Sequence, residues 1–226
     1  MMQSPYNLLS SQQLLETFAQ NAPYPRHIKR LSNGSFICKF GSGTKFFILA
    51  GVHGDERSGP VSLVEFFSEK DNFVGVPIEF IVCPLLNTLG WDGNTRNYEN
   101  KDLNRCFNAK GPKFIKELMS FLKEEKPSYF LDLHEDEDKT IKDYIWANEG
   151  GNSKLSSFIA KKNKMNLEYW KDSQKNWKSS SSEEFIRSLG CKNAITSEVY
   201  YIKNMENGIR KSVGVIKTMI EYLLSN

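Results

Sequence analysis

Apolar residues follow two rhythms along this chain: short unbroken runs, and longer stretches in which they return every three or four positions. The short runs predict strands at Ser35–Phe40, Lys45–Ala50, Ile78–Leu86, Ser128–His134, Tyr144–Ala147 and Asn193–Tyr201. The periodic stretches predict helices at Ser10–Ala19, Ser58–Glu69, Pro112–Glu125, Ser153–Lys164, Ser182–Ser188 and Asn207–Leu224. Phe46 to Ala50 and Phe80 to Cys83 are apolar throughout, the pattern of strands covered on both faces. In the last helix Ile209, Val213, Ile216, Ile220 and Leu223 share one face, a stripe made for core packing. The alternation of the two element types predicts an α/β fold with a largely parallel sheet. Gly41-Ser42-Gly43-Thr44 predicts an antiparallel edge hairpin between the first two strands.

Two stretches carry neither rhythm, Asn87–Asn108 and Lys171–Ser181. The first is rich in Asn, Gly, Asp and Arg, and a long irregular loop inside a compact domain is usually functional. The second, rich in Lys and Ser, is expected to be a surface loop or a lid. With 226 residues and no shift in composition, the chain is expected to form one domain over residues 1–226. Its 39% hydrophobic and 25% charged content is that of an ordinary globular protein. The net charge of +3 is scattered rather than gathered into a stripe, which gives no support to nucleic-acid binding. Neither a secretory leader nor a membrane-length apolar run is visible, so a cytoplasmic, membrane-free protein is expected. The four cysteines lie far apart without a CxxC pair, and Cys38, Cys83 and Cys191 fall in or beside apolar runs, as buried free thiols do.

Candidate chemistry is concentrated in few residues. Two of the three histidines occur in His53-Gly54-Asp55-Glu56 and in Leu131-Asp132-Leu133-His134, each at the end of a predicted buried strand. In a parallel sheet, ligands bind at the carboxyl ends of strands, so His53, Glu56 and His134 are expected at one edge. Two ligands close together and a third far along the chain is the pattern of a catalytic metal with an open position. Imidazole favours zinc over magnesium or calcium, which prefer all-oxygen shells.

These residues, with Asn87-Thr88-Leu89-Gly90, Arg96, Asp102-Leu103-Asn104-Arg105-Cys106-Phe107 and Thr196-Ser197-Glu198-Val199, resemble the zinc carboxypeptidases of the funnelin type. That family includes murein peptide amidases and the aspartoacylase/succinylglutamate desuccinylase relatives. The resemblance covers about residues 45 to 200 in order and rough spacing. It implies a three-layer α/β/α fold with a mixed, largely parallel central sheet, and one zinc ion held by His53, Glu56 and His134. It also implies Glu198 as general base, Arg96 as the group that polarises the scissile carbonyl, and Asn104 and Arg105 as the grip on a substrate carboxylate. Asp102 is the implied partner of the His53 imidazole, with Asp132 an alternative that would serve His134. The chain departs from the family pattern at Thr88-Leu89, Asn100-Lys101 and Cys106. An active-site tyrosine stays open among Tyr144, Tyr169, Tyr200 and Tyr201.

The expected activity is hydrolysis of an amide bond beside a free carboxylate, by a metallocarboxypeptidase or peptide amidase. An N-acyl amino acid deacylase of the aspartoacylase type is the alternative. Relatives of that type usually carry a further C-terminal domain, which weighs toward the peptidase. A binding module that retains the fold without the activity is a third expectation. The expected substrate is a peptide or an N-acyl amino acid.

Overall fold

The computed structural model describes residues 9–24, 26–136, 142–147, 152–169, 180–200 and 205–226. Its centre is one eight-stranded mixed sheet of β1 (Arg26–Arg30), β2 (Phe36–Gly41), β3 (Thr44–Ala50), β4 (Ile78–Cys83), β5 (Tyr129–Asp136), β6 (Tyr144–Ala147), β7 (Asn166–Tyr169) and β8 (Asn193–Tyr200). The spatial order is β1-β2-β4-β3-β5-β8-β6-β7. The four middle strands, β4, β3, β5 and β8, run parallel. The antiparallel pairings lie outside them.

Helices cover both faces. Helices α1 (Ser11–Asn21), α2 (Ser58–Ser68), α5 (Ser153–Asn163) and α7 (Met205–Ser225) cover one, and α4 (Lys113–Glu125) and α6 (Ser182–Ser188) the other; the short α3 (Thr88–Gly93) follows β4. The unbroken apolar runs are divided residue by residue between these layers. Phe46, Ile48 and Ala50 enter the core under α2, while Phe47 and Leu49 enter the core under α4. Successive side chains of a strand point to opposite faces, so a strand buried on both sides must be apolar at every position. Phe47 and Phe130 stack with ring centroids 5.3 Å apart. Phe40, Phe67 and Phe80 form an aromatic cluster in the opposite layer. Each such ring contributes about 2–3 kcal/mol by burial.

The expected hairpin between β2 and β3 is not formed. Strand β4 lies between them, antiparallel to β2 and parallel to β3. The two glycines serve another purpose: both have positive φ, and a Cβ on Gly43 would sit 2.1 Å from the Pro77 carbonyl oxygen. The connection therefore crosses directly over the start of β4, where a side chain has no room. The expected strand Ile78–Leu86 ends at Cys83. Strands β1 and β7 were not expected from the pattern, for a shared reason: both are sheet edges. Arg26-His27-Ile28-Lys29-Arg30 has one apolar residue among four basic ones, and charge on an edge strand discourages pairing with other chains. The irregular stretch Asn87–Asn108 contains α3 and a 3₁₀ turn at Leu103–Arg105. Most of the stretch Lys171–Ser181 lies outside the described residues, as does Tyr201.

Cys38, Cys83 and Cys191 are buried free thiols, with burial pushing each up to about 12. Cys106, half-buried, is free as well.

At the end of α4, Glu125 ties three elements together, with Lys39 of β2 at 2.8 Å and Lys45 of β3 at 2.7 Å. Burial alone would raise its pKa, but the hydrogen bonds and charges of the two lysines bring it below the ordinary 4.5. A carboxylate with a depressed folded pKa stabilises above its unfolded pKa and loses that contribution as pH falls through the folded value. Glu125→Gln is therefore expected to lower stability by about 0.5–1 kcal/mol at neutral pH. In denaturant titrations the deficit should shrink once the pH drops below about 4.

Candidate metal centre

His53 and Glu56 stand in the loop that leaves β3, and His134 stands on β5. Strands β3 and β5 are parallel neighbours, with Ala50 opposite Leu133, so both segments reach the same sheet edge. The β3 loop is held against the segment that follows β4: Gly54 N–H donates to the Arg96 carbonyl at 3.2 Å. A Cβ on Gly54 would lie 2.1 Å from the Gly90 carbonyl carbon, so α3 can approach only because this residue is glycine. Asn87 keeps α3 in place, its side-chain oxygen accepting from Gly90 N at 2.8 Å and its Nδ2 donating to the Arg96 carbonyl at 3.1 Å. The Thr88-Leu89 departure thus leaves Asn87 and Gly90 to shape the turn.

His53, Glu56 and His134 are nearly inaccessible, at 2%, 5% and 3% exposure. Both histidines turn Nδ1 toward the same carboxylate: His53 Nδ1 is 2.6 Å from Glu56 Oε1, and His134 Nδ1 is 2.8 Å from Oε2. The donor atoms all lie within 4.8 Å of one another. Each far ring nitrogen meets its own acid: His53 Nε2 lies 3.0 Å from Asp102 Oδ1, and His134 Nε2 lies 3.2 Å from Asp132 Oδ2. The two acids that the sequence leaves as alternatives thus each face a different histidine. The Glu135 backbone N–H donates to Glu56 Oε2 at 3.1 Å, and Arg96 Nη1 donates to Oε1 at 2.9 Å.

The electrostatics favour positive charge at this point. Burial alone would depress both histidines, yet Glu56 with Asp102 raises His53, and Asp132 with Glu56 raises His134 well above its ordinary 6.5. Burial pushes Glu56 up, but the charges and hydrogen bonds of the two imidazoles hold it well below the usual carboxylate range. Two imidazoles with carboxylates at both nitrogens, sharing one buried acid, form a site that gathers cationic charge. A divalent ion held by His53, His134 and Glu56 would supply that charge, with Asp102 hydrogen-bonded to the outer nitrogen of His53 and Asp132 at ion-pair distance from that of His134. The donor set fits a metal ion.

Glu198 is the register partner of His134 on β8, and across β6 the partner of Tyr144. Burial pushes its carboxyl up to about 7, with His134 pulling downward and Glu56 and Asp136 pushing further up. Tyr144, almost wholly buried, donates its hydroxyl to Asp136 Oδ2 at 2.6 Å; Tyr169 is 55% exposed on the edge strand β7. Burial pushes Asp102 up, but its hydrogen bond and attraction to His53, with the nearby Arg105 charge and the Asn104 N–H, hold it at about 2. Asn104 Oδ1 accepts from Ser182 N at 3.1 Å, and Arg105 Nη1 donates to the Asn104 carbonyl at 2.8 Å. The Arg96 side chain is 53% exposed, with its guanidinium over the Glu56 carboxylate.

Ser182 went unmarked in the sequence. It lies in a serine run whose composition reads as loop, although its hydroxyl donates to Asp132 Oδ2. Only the predicted helix start at that position hinted at an ordered role. An open groove of about 600 Å³ between α1, β1, β2 and α3, lined by Leu15, Ile28, Arg30, Phe36 and Leu89 among others, includes none of the predicted site residues.

The catalytic-domain model of the succinylglutamate desuccinylase/aspartoacylase family matches residues 42–205. No curated protein matches the chain in sequence. Among solved structures, a candidate metallopeptidase from Shewanella amazonensis SB2B is similar at 18% identity and TM-score 0.80, covering 98% of this chain and 97% of its own. A metallo-carboxypeptidase from Burkholderia cenocepacia aligns at 14% identity and TM-score 0.78, covering 96% of this chain and 70% of its own. A metallo-carboxypeptidase from Pseudomonas aeruginosa, in complex with (2-guanidinoethylmercapto)succinic acid, aligns at 15% identity and TM-score 0.73, covering 93% and 67%. These likenesses establish the α/β fold of the zinc carboxypeptidase type.

Proposed function

The chain belongs to the succinylglutamate desuccinylase/aspartoacylase catalytic-domain family, and we propose that it is a zinc-dependent hydrolase that cleaves an amide bond beside a free carboxylate, as a metallocarboxypeptidase or peptide amidase. The observation that carries this reading is the convergence of His53 Nδ1, His134 Nδ1 and the Glu56 carboxylate beside a strand that brings Glu198 into register with His134. A zinc ion held by those three residues supplies the Lewis acidity that makes water nucleophilic at neutral pH. Glu198 takes the proton of the attacking water and delivers it to the leaving amine, a task suited to a carboxyl with a pKa near 7. Arg96, a fixed positive charge whose Nη1 donates to Glu56 Oε1, would stabilise the oxygen that becomes negative as the carbonyl is attacked. Asn104 and Arg105 anchor the substrate carboxylate, Arg105 through its planar guanidinium and Asn104 through its amide N–H.

A second reading, deacylation of an N-acyl amino acid, is favoured by the family match itself. It uses the same metal, base and anchor but reads a carboxylate on the acyl side. The succinic acid derivative bound to the Pseudomonas aeruginosa carboxypeptidase supports a carboxylate-bearing ligand in either case.

Metal analysis of the purified protein should return one zinc per chain, and a chelator should abolish turnover that added zinc restores. The restored enzyme is then offered peptides and N-acyl amino acids. Release of C-terminal residues supports the first reading, and release from acyl amino acids alone replaces it with the second. A zinc-loaded protein that hydrolyses neither sinks both.

A further inference from the structure

Ser182 joins two parts of the site that lie 50 and 78 positions before it in the sequence. We infer that it is a positioning residue that sets the His134 imidazole through Asp132 and, through its backbone N–H, the side-chain amide of Asn104; this inference rests on the zinc hydrolase reading. Ser182 is the first residue of α6 and only 1% exposed. Its hydroxyl donates to Asp132 Oδ2, the same oxygen that lies 3.2 Å from His134 Nε2. Asp132 is fully buried, so the orientation of its carboxylate is decided by these few contacts. A hydroxyl has one proton, and Asp132 takes it. The 3.4 Å approach of the same oxygen to Asn104 Oδ1 therefore adds no second donated bond.

The bond to Asn104 comes from the Ser182 backbone instead. An N–H can only donate, so Asn104 must turn its carbonyl oxygen toward Ser182, which leaves Nδ2 as the end available to a carboxylate. Neighbouring residues strengthen the junction: Phe107 N–H donates to the Ser180 carbonyl at 3.0 Å, and Asn108 Nδ2 donates to Ser180 Oγ at 2.8 Å. Helix capping does not account for the Ser182 hydroxyl. The cap of α6 is Ser181, whose oxygen accepts from Glu184 N at 3.2 Å. The two ends of the junction are separable, because deleting the hydroxyl leaves the N–H to Asn104 intact.

The test measures zinc dissociation constants by competition with a chromophoric chelator, together with kcat and KM on whichever substrate the enzyme accepts. Ser182→Ala is expected to weaken zinc binding about tenfold with KM unchanged, since partners of metal-bound histidines typically matter by that factor or more. Asn104→Ala should do the reverse, raising KM while zinc affinity stays. Ser182→Cys, nearly isosteric but a weak donor, should weaken zinc as Ser182→Ala does, and it provides the reading if the alanine variant fails to fold. Ser182→Thr, which restores the hydroxyl, should bring zinc affinity back. Wild-type zinc affinity in both Ser182→Ala and Ser182→Cys overturns the inference, as does a loss that Ser182→Thr does not repair. If the unmodified protein binds no zinc, the hydrolase reading falls as well, so the two failures are told apart.

Discussion

Glu198→Gln is expected to lower kcat about 1000-fold, within the range of what a positioned proton carrier contributes, while zinc content and KM stay close to the unmodified values. The amide is nearly isosteric with the acid, so packing beside Tyr144 and His134 is preserved and only proton transfer is removed. A base works only when ionised, so kcat/KM of the unmodified enzyme should rise with pH through the Glu198 titration. Burial pushes that carboxyl up to about 7, and the positive charge of a bound ion would act in the opposite direction. The acid limb of the pH profile should then lie below 7 and disappear in the variant. Full turnover by a zinc-loaded Glu198→Gln protein would remove this residue from the mechanism and leave the metal centre untouched.

Gly54→Ala should have the largest effect of any single added methyl group near the site. The new Cβ would meet Gly90 C at 2.1 Å and Trp91 N at 2.3 Å, both backbone atoms that cannot swing aside. Helix α3 has little freedom to retreat, because Trp91 is buried to 1% exposure and its Nε1 donates to the Leu9 carbonyl at 2.9 Å. The strain therefore falls on the β3 loop and displaces His53, the preceding residue. The expected outcome is a stability loss of about 1–3 kcal/mol by thermal unfolding, the usual cost of overpacking. Zinc affinity should fall by more than about tenfold, since metal sites tolerate ligand displacements of only a few tenths of an ångström. Unchanged zinc binding would show that the β3 loop is not held as tightly as its contacts imply.

Some features of the chain were legible in its sequence and others were not. The buried middle strands were, because a strand covered on both faces must be apolar at every position, as Phe46 to Ala50 are. The convergence of His53, Glu56 and His134 followed from the same strands, since parallel neighbours deliver their ends to one edge. The edge strands were hidden by their own polarity, Arg26–Arg30 above all. The order of β2, β4 and β3 was hidden by local turn chemistry: Gly-Ser-Gly fits a hairpin as well as a tight crossover, and the pairing of β4 with both β2 and β3 decides between them. Ser182 was illegible because its importance lies entirely in partners 50 and 78 residues away. Spacing along the chain carries the three candidate metal ligands, whereas the groups that face them are set by packing between layers.

The crossover at Gly41–Gly43 also determines where this protein can be rebuilt. Turn tips between neighbouring strands are usually the first places chosen for tags, fluorescent labels or inserted domains. Here the tip is wedged against the backbone of Pro77 and Ile78, and anything added to it must lever β4 away from β2 and disturb the sheet that carries the β3 loop. Gly75, on the separate segment that leads from α2 into β4, has nothing within 4 Å of where a Cβ would stand. An insertion beside Gly75, with the glycine itself kept because its φ of 79° strains any other residue, meets none of that packing; the turn that looks more inviting in the sequence cannot serve.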